Sequence, residues 1–281
     1  MAGHTPTFSV IIPTYQRQEL LDRALASVQR QTVSDIEVIV VDDAGSPPAT
    51  VPGDRRITLL RQDVNRGKSA AINRALELAR GEYVAFLDDD DEWAPTRLQT
   101  ALVAHRHTGC DVVILGLDQA PFDASEDSPA RRIPPAMLAT REMLGHMGTT
   151  TVRRTACMNF NASYRASQDL DWTLRMRQAG TSYAGSAAVE WSWGRHEGPR
   201  HKNDQTARIA ASYRLLDEHS DWYAAHPAAL AYRHYRLGVM HLQQGERRQA
   251  LNCLMKSVMA RPRVEQARLT SRILRQAISG R

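Results

Sequence analysis

The chain has 281 residues, 42% hydrophobic and 24% charged, with a formal net charge of +5. This excludes a disordered polar chain, and the longest apolar runs are strand-length, short of the ~20 residues a membrane helix needs. Cys110, Cys157 and Cys253 are scattered with no Cys-x-x-Cys pair, which excludes a zinc ribbon or a disulfide framework. A reducing cytoplasm is the expected location. The start, running from Met1 almost directly into a strand, predicts no signal peptide.

Phe8 to Tyr15 reads as a strand stopped near Pro13. Glu19 to Gln31 has helical spacing, with Leu20, Leu21, Ala24, Leu25 and Val28 on one face. Ile36 to Val41 is the next strand, ending at Asp42-Asp43 before a Gly-Ser-Pro-Pro loop. Asp42 is expected to orient that loop. Ile57 to Leu60 is a short strand. Lys68 to Ala79 is a helix behind the Asn65-Arg66-Gly67 turn, and Gly81 stops it. Tyr83 to Leu87 is a buried strand, and Pro95 to Thr108 a helix. This alternation predicts right-handed βαβ units and a mostly parallel sheet.

Four aspartates, Asp88, Asp89, Asp90 and Asp91, follow the Tyr83–Leu87 strand at its carboxyl end, where open α/β sheets bind ligands. Adjacent carboxylates repel, and no cation lies within the run. A divalent metal would supply the missing charge, and oxygen-only ligands favour Mg²⁺ or Mn²⁺. The competing reading is an acidic turn capping the helix near Pro95.

Taken in order, Ser9 to Tyr15, Val40 to Asp43, Asn65 to Lys68 and Gly81 to Asp91 resemble the family 2 glycosyltransferases of the GT-A fold, over about the first 117 residues. The resemblance implies a Rossmann-like sheet flanked by helices and inverting transfer from a nucleotide sugar, expected to be a UDP-sugar. It implies that Pro13, Thr14 and Tyr15 line the donor site, with Tyr15 stacking on the base and Asp43 accepting from it. Lys68 would reach the diphosphate, although a solvated surface lysine fits the same position. Asp88 would contact the ribose or a metal-bound water, Asp89 joins the donor-binding set, and Asp90 is the direct ligand of Mn²⁺ or Mg²⁺. The register within the run is ambiguous by one residue.

On the acceptor side, Gln168-Asp169 resembles the family's acidic pair ahead of a helix, which implies Asp169 as catalytic base. Asp171 is the rival, and helix capping is the plain alternative for Asp169. Trp191 to His196 resembles the segment after the last strand, which implies His196 as a further metal ligand, with His201 as substitute. Gly194 to Asp204 has the composition of a lid. Met137 to Met147 is expected to be a helix, and Gly148 to Arg153 a strand presenting Thr149, Thr150 and Thr151 to the acceptor.

Residues up to 194 hold 20 Lys/Arg against 24 Asp/Glu, and the remainder 16 against 7. The basic tail is expected to be a solvated helical face; contact with anionic lipid or an acidic acceptor also fits, and nothing resembles a nucleic-acid motif. Its segments at Ala207–Leu216, Ala229–Gln243, Arg247–Ala260 and Val264–Ile278 have helical spacing. Tyr235 to Pro262 resembles one tetratricopeptide-type hairpin, a candidate homodimer contact. Expected domains are 1–204, catalytic, with halves 1–117 for the nucleotide and 118–204 for the acceptor, and 205–281, helical. Two other functions fit less well: a non-catalytic nucleotide-sugar-binding scaffold, and a sugar nucleotidyltransferase, whose glycine-rich phosphate loop is missing after the first strand.

Overall fold

A computed structural model describes residues 4–116, 130–138, 145–193, 204–261 and 271. In chain order the elements are β1 (Phe8–Thr14), α1 (Gln18–Gln29), β2 (Ile36–Asp42), β3 (Ile57–Arg61), α2 (Lys68–Leu76), β4 (Tyr83–Phe86), β5 (Asp91–Trp93), α3 (Arg97–Thr108) and β6 (Val112–Ile114). There follow β7 (Arg131–Arg132), α4 (Pro135–Leu138), β8 (Thr150–Arg153), α5 (Gln168–Gln178), β9 (Tyr183–Gly185), β10 (Trp191–Trp193), α6 (Gln205–Glu218), α7 (Ser220–Ala225), α8 (Pro227–Gln243) and α9 (Arg247–Ala260).

Eight strands form one sheet in the order β3-β2-β1-β4-β8-β6-β9-β7. β1 to β4 are parallel, β8 runs against both β4 and β6, and β6 lies parallel to β9. The expected mostly parallel α/β sheet is present. The chain leaves β1 toward β2 and β3, then returns to β4 on the other side. That reversal opens a crevice at the carboxyl ends of β1 and β4.

Side-chain alternation explains the packing. Phe8, Val10 and Ile12 of β1 join Val38, Val40, Tyr83 and Ala85 in a core covered by Leu21, Leu25 and Val28 of α1 and Leu98, Ala101 and Ala104 of α3. On the opposite face Phe86 meets Phe160 and Trp172 edge-on, with ring centroids 5.7 and 5.9 Å away. Trp172 of α5 stacks on Phe160 at 5.3 Å and donates through Nε1 to the Met158 carbonyl. Gly81 packs so closely on β1 that a Cβ there would lie 2.4 Å from the Ser9 nitrogen.

Three expectations need correction. α3 begins at Arg97, with Pro95 and Thr96 in a turn before it, and Asp91–Trp93 forms an unexpected strand paired with β10. A three-residue strand carrying two acids has no readable periodicity. The helix expected over Met137–Met147 does not run through its end, since His146 is extended and a 3₁₀ turn covers Met147–Thr149. The strand expected from Gly148 begins at Thr150 and lies inside the sheet.

Two compact units are distinguished: the described residues within Met1–Ile133, Met143–Ser163 and Gln168–Glu197, and those within Pro134–Glu142, Tyr164–Ser167 and Gly198–Arg281. In the second, α8 and α9 form the expected helical hairpin. Leu237, Met240 and Cys253 are its core, with Ile209 and Leu216 of α6 packed against them. Gly238 allows the close approach, since a Cβ there would sit 2.7 Å from Leu254 Cγ. The helix expected at Val264–Ile278 lies outside the described residues.

Candidate active site

β1 and β2 end level with one another, while β4 stops opposite Ile11 and hands over to the aspartate run beside the last residues of β1. Thr14 pairs in register with Asp42, and Leu87 donates its N–H to the Ile11 carbonyl at 3.0 Å. Asp42 accepts from the backbone N–H groups of Gly45 and Ala49 at 2.7 and 3.0 Å, orienting the loop as expected.

Asp43, next in sequence, folds the turn beyond β3. Its Oδ1 accepts from Gln62 Nε2 and the Arg66 N–H, and its Oδ2 from the Gly67 N–H, at 2.7 to 2.8 Å. Three of the roughly four acceptor positions of this carboxylate are thus filled by the chain itself. Gly67 has a φ of 87°, a left-handed conformation suited to glycine, and it opens α2 with Lys68 as the first helical residue.

Lys68 donates to Asp88 Oδ1. Burial pulls the ammonium pKa down, but Asp88, then Asp169 and Asp89, outweigh this and hold it above the usual lysine value. Asp169 therefore acts electrostatically on the same ammonium as the aspartate run.

The run alternates. Asp88 and Asp90 are half-buried, whereas Asp89 and Asp91 are buried. Asp89 points back beneath β1: its Oδ2 accepts from Thr14 Oγ1 at 2.8 Å and its Oδ1 from Arg17 Nη1 at 3.3 Å. Burial pushes its carboxyl pKa up to about 6, against the pull of Arg17 and Thr14. Arg17 Nη1 is also 3.5 Å from Asp90 Oδ2. Asp91 starts β5, and its Oδ2 accepts from Trp191 Nε1 of β10 at 3.0 Å.

Carboxylate oxygens of Asp88, Asp90 and Asp91 can lie within 4.8 Å of one another. Two oxygens each about 2.1 Å from one ion are separated by up to roughly 4.2 Å. The spacing and the all-oxygen donor set therefore fit Mg²⁺ or Mn²⁺ with little adjustment.

Pro13 is half-buried and Tyr15 is 38% exposed at the end of β1. Thr14 is buried, its hydroxyl committed to Asp89. In the first turn of α5, Asp169 is half-buried and accepts from the Leu170 N–H at 2.9 Å. Ser167, two residues before it, has a φ of 57°, a strained conformation for a serine. The rival Asp171 is buried and accepts from Arg175 Nε at 2.9 Å. Trp172 in the same helix locks α5 to Phe86, two residues before Asp88.

Thr149, Thr150 and Thr151 do not line an acceptor cleft. All three are buried; the first two hydroxyls donate to the His146 carbonyl, and Thr151 bonds His105. β8 runs between β4 and β6, and because successive side chains alternate in direction, the burial of Thr150 and Thr151 shows that both faces of the strand are covered. His196 and His201 lie outside the described residues. Sequence reasoning passed over Arg17 and Trp191. The available signals were a basic residue just beyond the first strand and an indole in the segment compared with the family.

The profile of glycosyl transferase family 2 matches residues 9–169. The Escherichia coli K12 protein named "Putative colanic acid biosynthesis glycosyl transferase WcaA" is 35% identical over 190 residues, 62% of this chain and 67% of that protein. The GalNAc(5)-diNAcBac-PP-undecaprenol beta-1,3-glucosyltransferase of Campylobacter jejuni is 39% identical over 104 residues, but the match spans only 34% of either chain. Among solved structures, S. aureus TarS 1-349 in complex with UDP-GlcNAc superposes with a TM-score of 0.60 at 17% identity, covering 90% of this chain and 81% of that one. The mannosyltransferase PcManGT of Pyrobaculum calidifontis, in complex with GDP-Man and Mn²⁺, gives 0.59 at 19% identity over 98% and 81%. At such identities these two show the fold alone. With the profile covering more than half of its length, the chain belongs to glycosyl transferase family 2 and is a glycosyltransferase.

Proposed function

We propose that the protein is a metal-dependent, inverting glycosyltransferase that moves a sugar from a UDP-sugar to a hydroxyl of a growing saccharide. The observation that carries this reading is the meeting of Lys68, Asp88 and Asp169 in one electrostatic neighbourhood at the carboxyl edge of the sheet. Support for the donor class comes from TarS, solved with UDP-GlcNAc, and from a relative named as using UDP-Glc, 35% identical over 95 residues. PcManGT was solved with GDP-Man, so a guanosine donor is the alternative the test must separate. Support for the acceptor class comes from relatives named for colanic acid, teichuronic acid and succinoglycan biosynthesis.

In this reading Tyr15 stacks on the base beside Pro13, and Thr14 holds that strand end through Asp89. Asp43 shapes the turn that delivers Lys68 and offers its remaining lone pair to the base. Asp90 would hold the ion directly, with Asp88 on the ribose or a metal-bound water, Asp91 near them and His196 as a further ligand. A bound Mn²⁺ or Mg²⁺ neutralises charge on the leaving diphosphate. Lys68 exchanges Asp88 for that diphosphate and stabilises the charge that develops on it. Asp169 takes the proton of the acceptor hydroxyl as its oxygen bonds to the anomeric carbon, while the bond to the diphosphate oxygen breaks on the opposite face. One displacement inverts the configuration.

Residues 1–204 form the catalytic part in this proposal, and 205–281 a helical extension whose exposed Tyr232, Met255 and Met259 suit a homodimer contact; light scattering of the full chain tests it. Among the described residues no helix is long and apolar enough to cross a membrane. A cytoplasmic location agrees with three free cysteines and is checked by cell fractionation.

The main test is thermal unfolding with a panel of nucleoside diphosphates and nucleotide sugars, with and without Mn²⁺, on the wild type and Asp90→Ala. Uridine nucleotides are expected to stabilise the wild type only with metal, and the variant not at all. Stabilisation by guanosine nucleotides alone would replace the donor. A folded protein indifferent to every nucleotide would overturn the reading.

A further inference from the structure

We infer that Arg17 is a resident counter-cation of the metal site, which occupies Asp90 until a divalent ion displaces it. This rests on Asp90 being a metal ligand, as proposed above.

The local backbone brings Arg17 there. β1 ends at Thr14, and Gln16 turns the chain in the left-handed region at a φ of 55°. Arg17 follows as the N-cap just before α1, its carbonyl accepting from the Leu20 and Leu21 N–H groups at 3.1 and 3.0 Å. Its position is fixed by the helix, while its side chain, one quarter exposed, reaches back over the run. One nitrogen, Nη1, lies between two carboxylates, 3.3 Å from Asp89 and 3.5 Å from Asp90.

These two partners differ. The Asp89 side chain is buried and anchored on its other oxygen by Thr14, so it cannot follow an ion. Asp90 is 25% exposed and belongs to the set whose oxygens converge with Asp88 and Asp91. A divalent ion on Asp90 and a guanidinium on the same carboxylate repel each other. Loading the ion therefore means that Arg17 gives up Asp90 and keeps Asp89. Lys68 on Asp88 is the parallel case, but Lys68 has a diphosphate to move to, whereas Arg17 already has its second partner. Arg17 thus keeps the ion-free site neutral enough to stay folded and sets how much metal is needed to fill it.

The test is direct Mn²⁺ binding without nucleotide, read from the loss of the free-ion paramagnetic resonance signal, on the full chain. Removing one charge from beside a partly exposed carboxylate is expected to tighten Mn²⁺ binding by about five- to tenfold in Arg17→Gln. Arg17→Met, which keeps the aliphatic stem, reads the same way. Asp90→Asn is expected to weaken binding by about tenfold or more. Should neither neutral variant fold, Arg17→Lys is used: a point charge cannot bridge both carboxylates as well, and about threefold tightening is expected. Unchanged or weaker binding in the Arg17 variants, with Asp90→Asn still impaired, overturns the inference and leaves the metal site standing. Equal binding by wild type and Asp90→Asn removes both.

Discussion

Glu37 and Asp89 are buried carboxylates at opposite ends of the same sheet, 8% and 6% exposed, and they differ in how many donors the chain supplies. At the amino-terminal end Glu37 accepts from Ser9 Oγ, from the N–H, Nε and Nη2 of Arg80, and from the Gly81 N–H. Burial pushes its pKa up, but those bonds outweigh it and the net shift is downward. At the carboxyl end Thr14 and Arg17 serve Asp89, burial wins, and the carboxyl rises to about 6. Burial alone therefore does not fix the sign; the donors and the neighbouring charges do, since Asp90 and Asp88 add to the rise at Asp89. One end of the sheet is closed by its own hydrogen bonds, and the other sets carboxylates against the side-chain cations of Arg17 and Lys68.

The largest effects are expected at the open end. Asp169→Asn should lower donor turnover by about 10²- to 10⁴-fold while leaving nucleotide-dependent stabilisation unchanged. Asp171→Asn should do the reverse, losing about 2 to 3 kcal/mol of stability because Arg175 is left without its buried partner, with turnover per folded molecule within a few-fold. Equal losses of turnover in both variants would move the base to Asp171.

Smaller effects, on stability alone, are expected at the closed end. The Cβ of Gly81→Ala would meet backbone atoms of Phe8 and Ser9 at 2.6 and 2.4 Å, which no side-chain rotation relieves. A cost of about 2 to 4 kcal/mol is expected in urea unfolding, with Mn²⁺ and nucleotide binding intact in the folded protein. Glu37→Gln should cost about 2 to 3 kcal/mol, since an amide places two donors against existing donors. A wild-type midpoint for either would mean that the closed end is not held by this network.

The same contrast explains what the sequence made legible. β1, β2 and β4 were readable because buried parallel strands are continuous apolar runs with loops at their ends. The run at 88–91 was readable as a site because four acids without a cation need one. Its internal division was not, because Asp89 and Asp91 differ from Asp88 and Asp90 only through partners distant in sequence, Thr14 and Trp191. The threonines at 149–151 were misplaced for a similar reason. Three polar residues in a row suggest an exposed strand, and nothing local shows that β8 is flanked by β4 and β6 or that His105 awaits Thr151. Asp43 looked like a ligand group, yet most of its acceptor capacity closes the turn before Lys68, a contact across more than twenty residues.

The smallest expected effects are slopes against pH, and they separate the two ends once more. His105 is fully buried, with Nδ1 donating to the Cys110 carbonyl and Nε2 accepting from Thr151. Burial holds its pKa down to about 4 from about 6.5 when unfolded. The unfolded chain binds the extra proton between those values, so the stability it contributes is present above pH 6.5 and is lost as pH falls, by about 2 kcal/mol at pH 5. Asp89 has the opposite sign. With a folded pKa of about 6, above its unfolded value, the folded state holds the extra proton, and stability is lost as pH rises through 6. Measured without metal, the wild-type advantage over His105→Gln should shrink on acidification from pH 7 to 5, and the advantage over Asp89→Asn should grow. Parallel curves for Asp89→Asn and the wild type would mean that Arg17 and Thr14 satisfy Asp89 as fully as Arg80 and Ser9 satisfy Glu37, and the two ends of the sheet would then be alike.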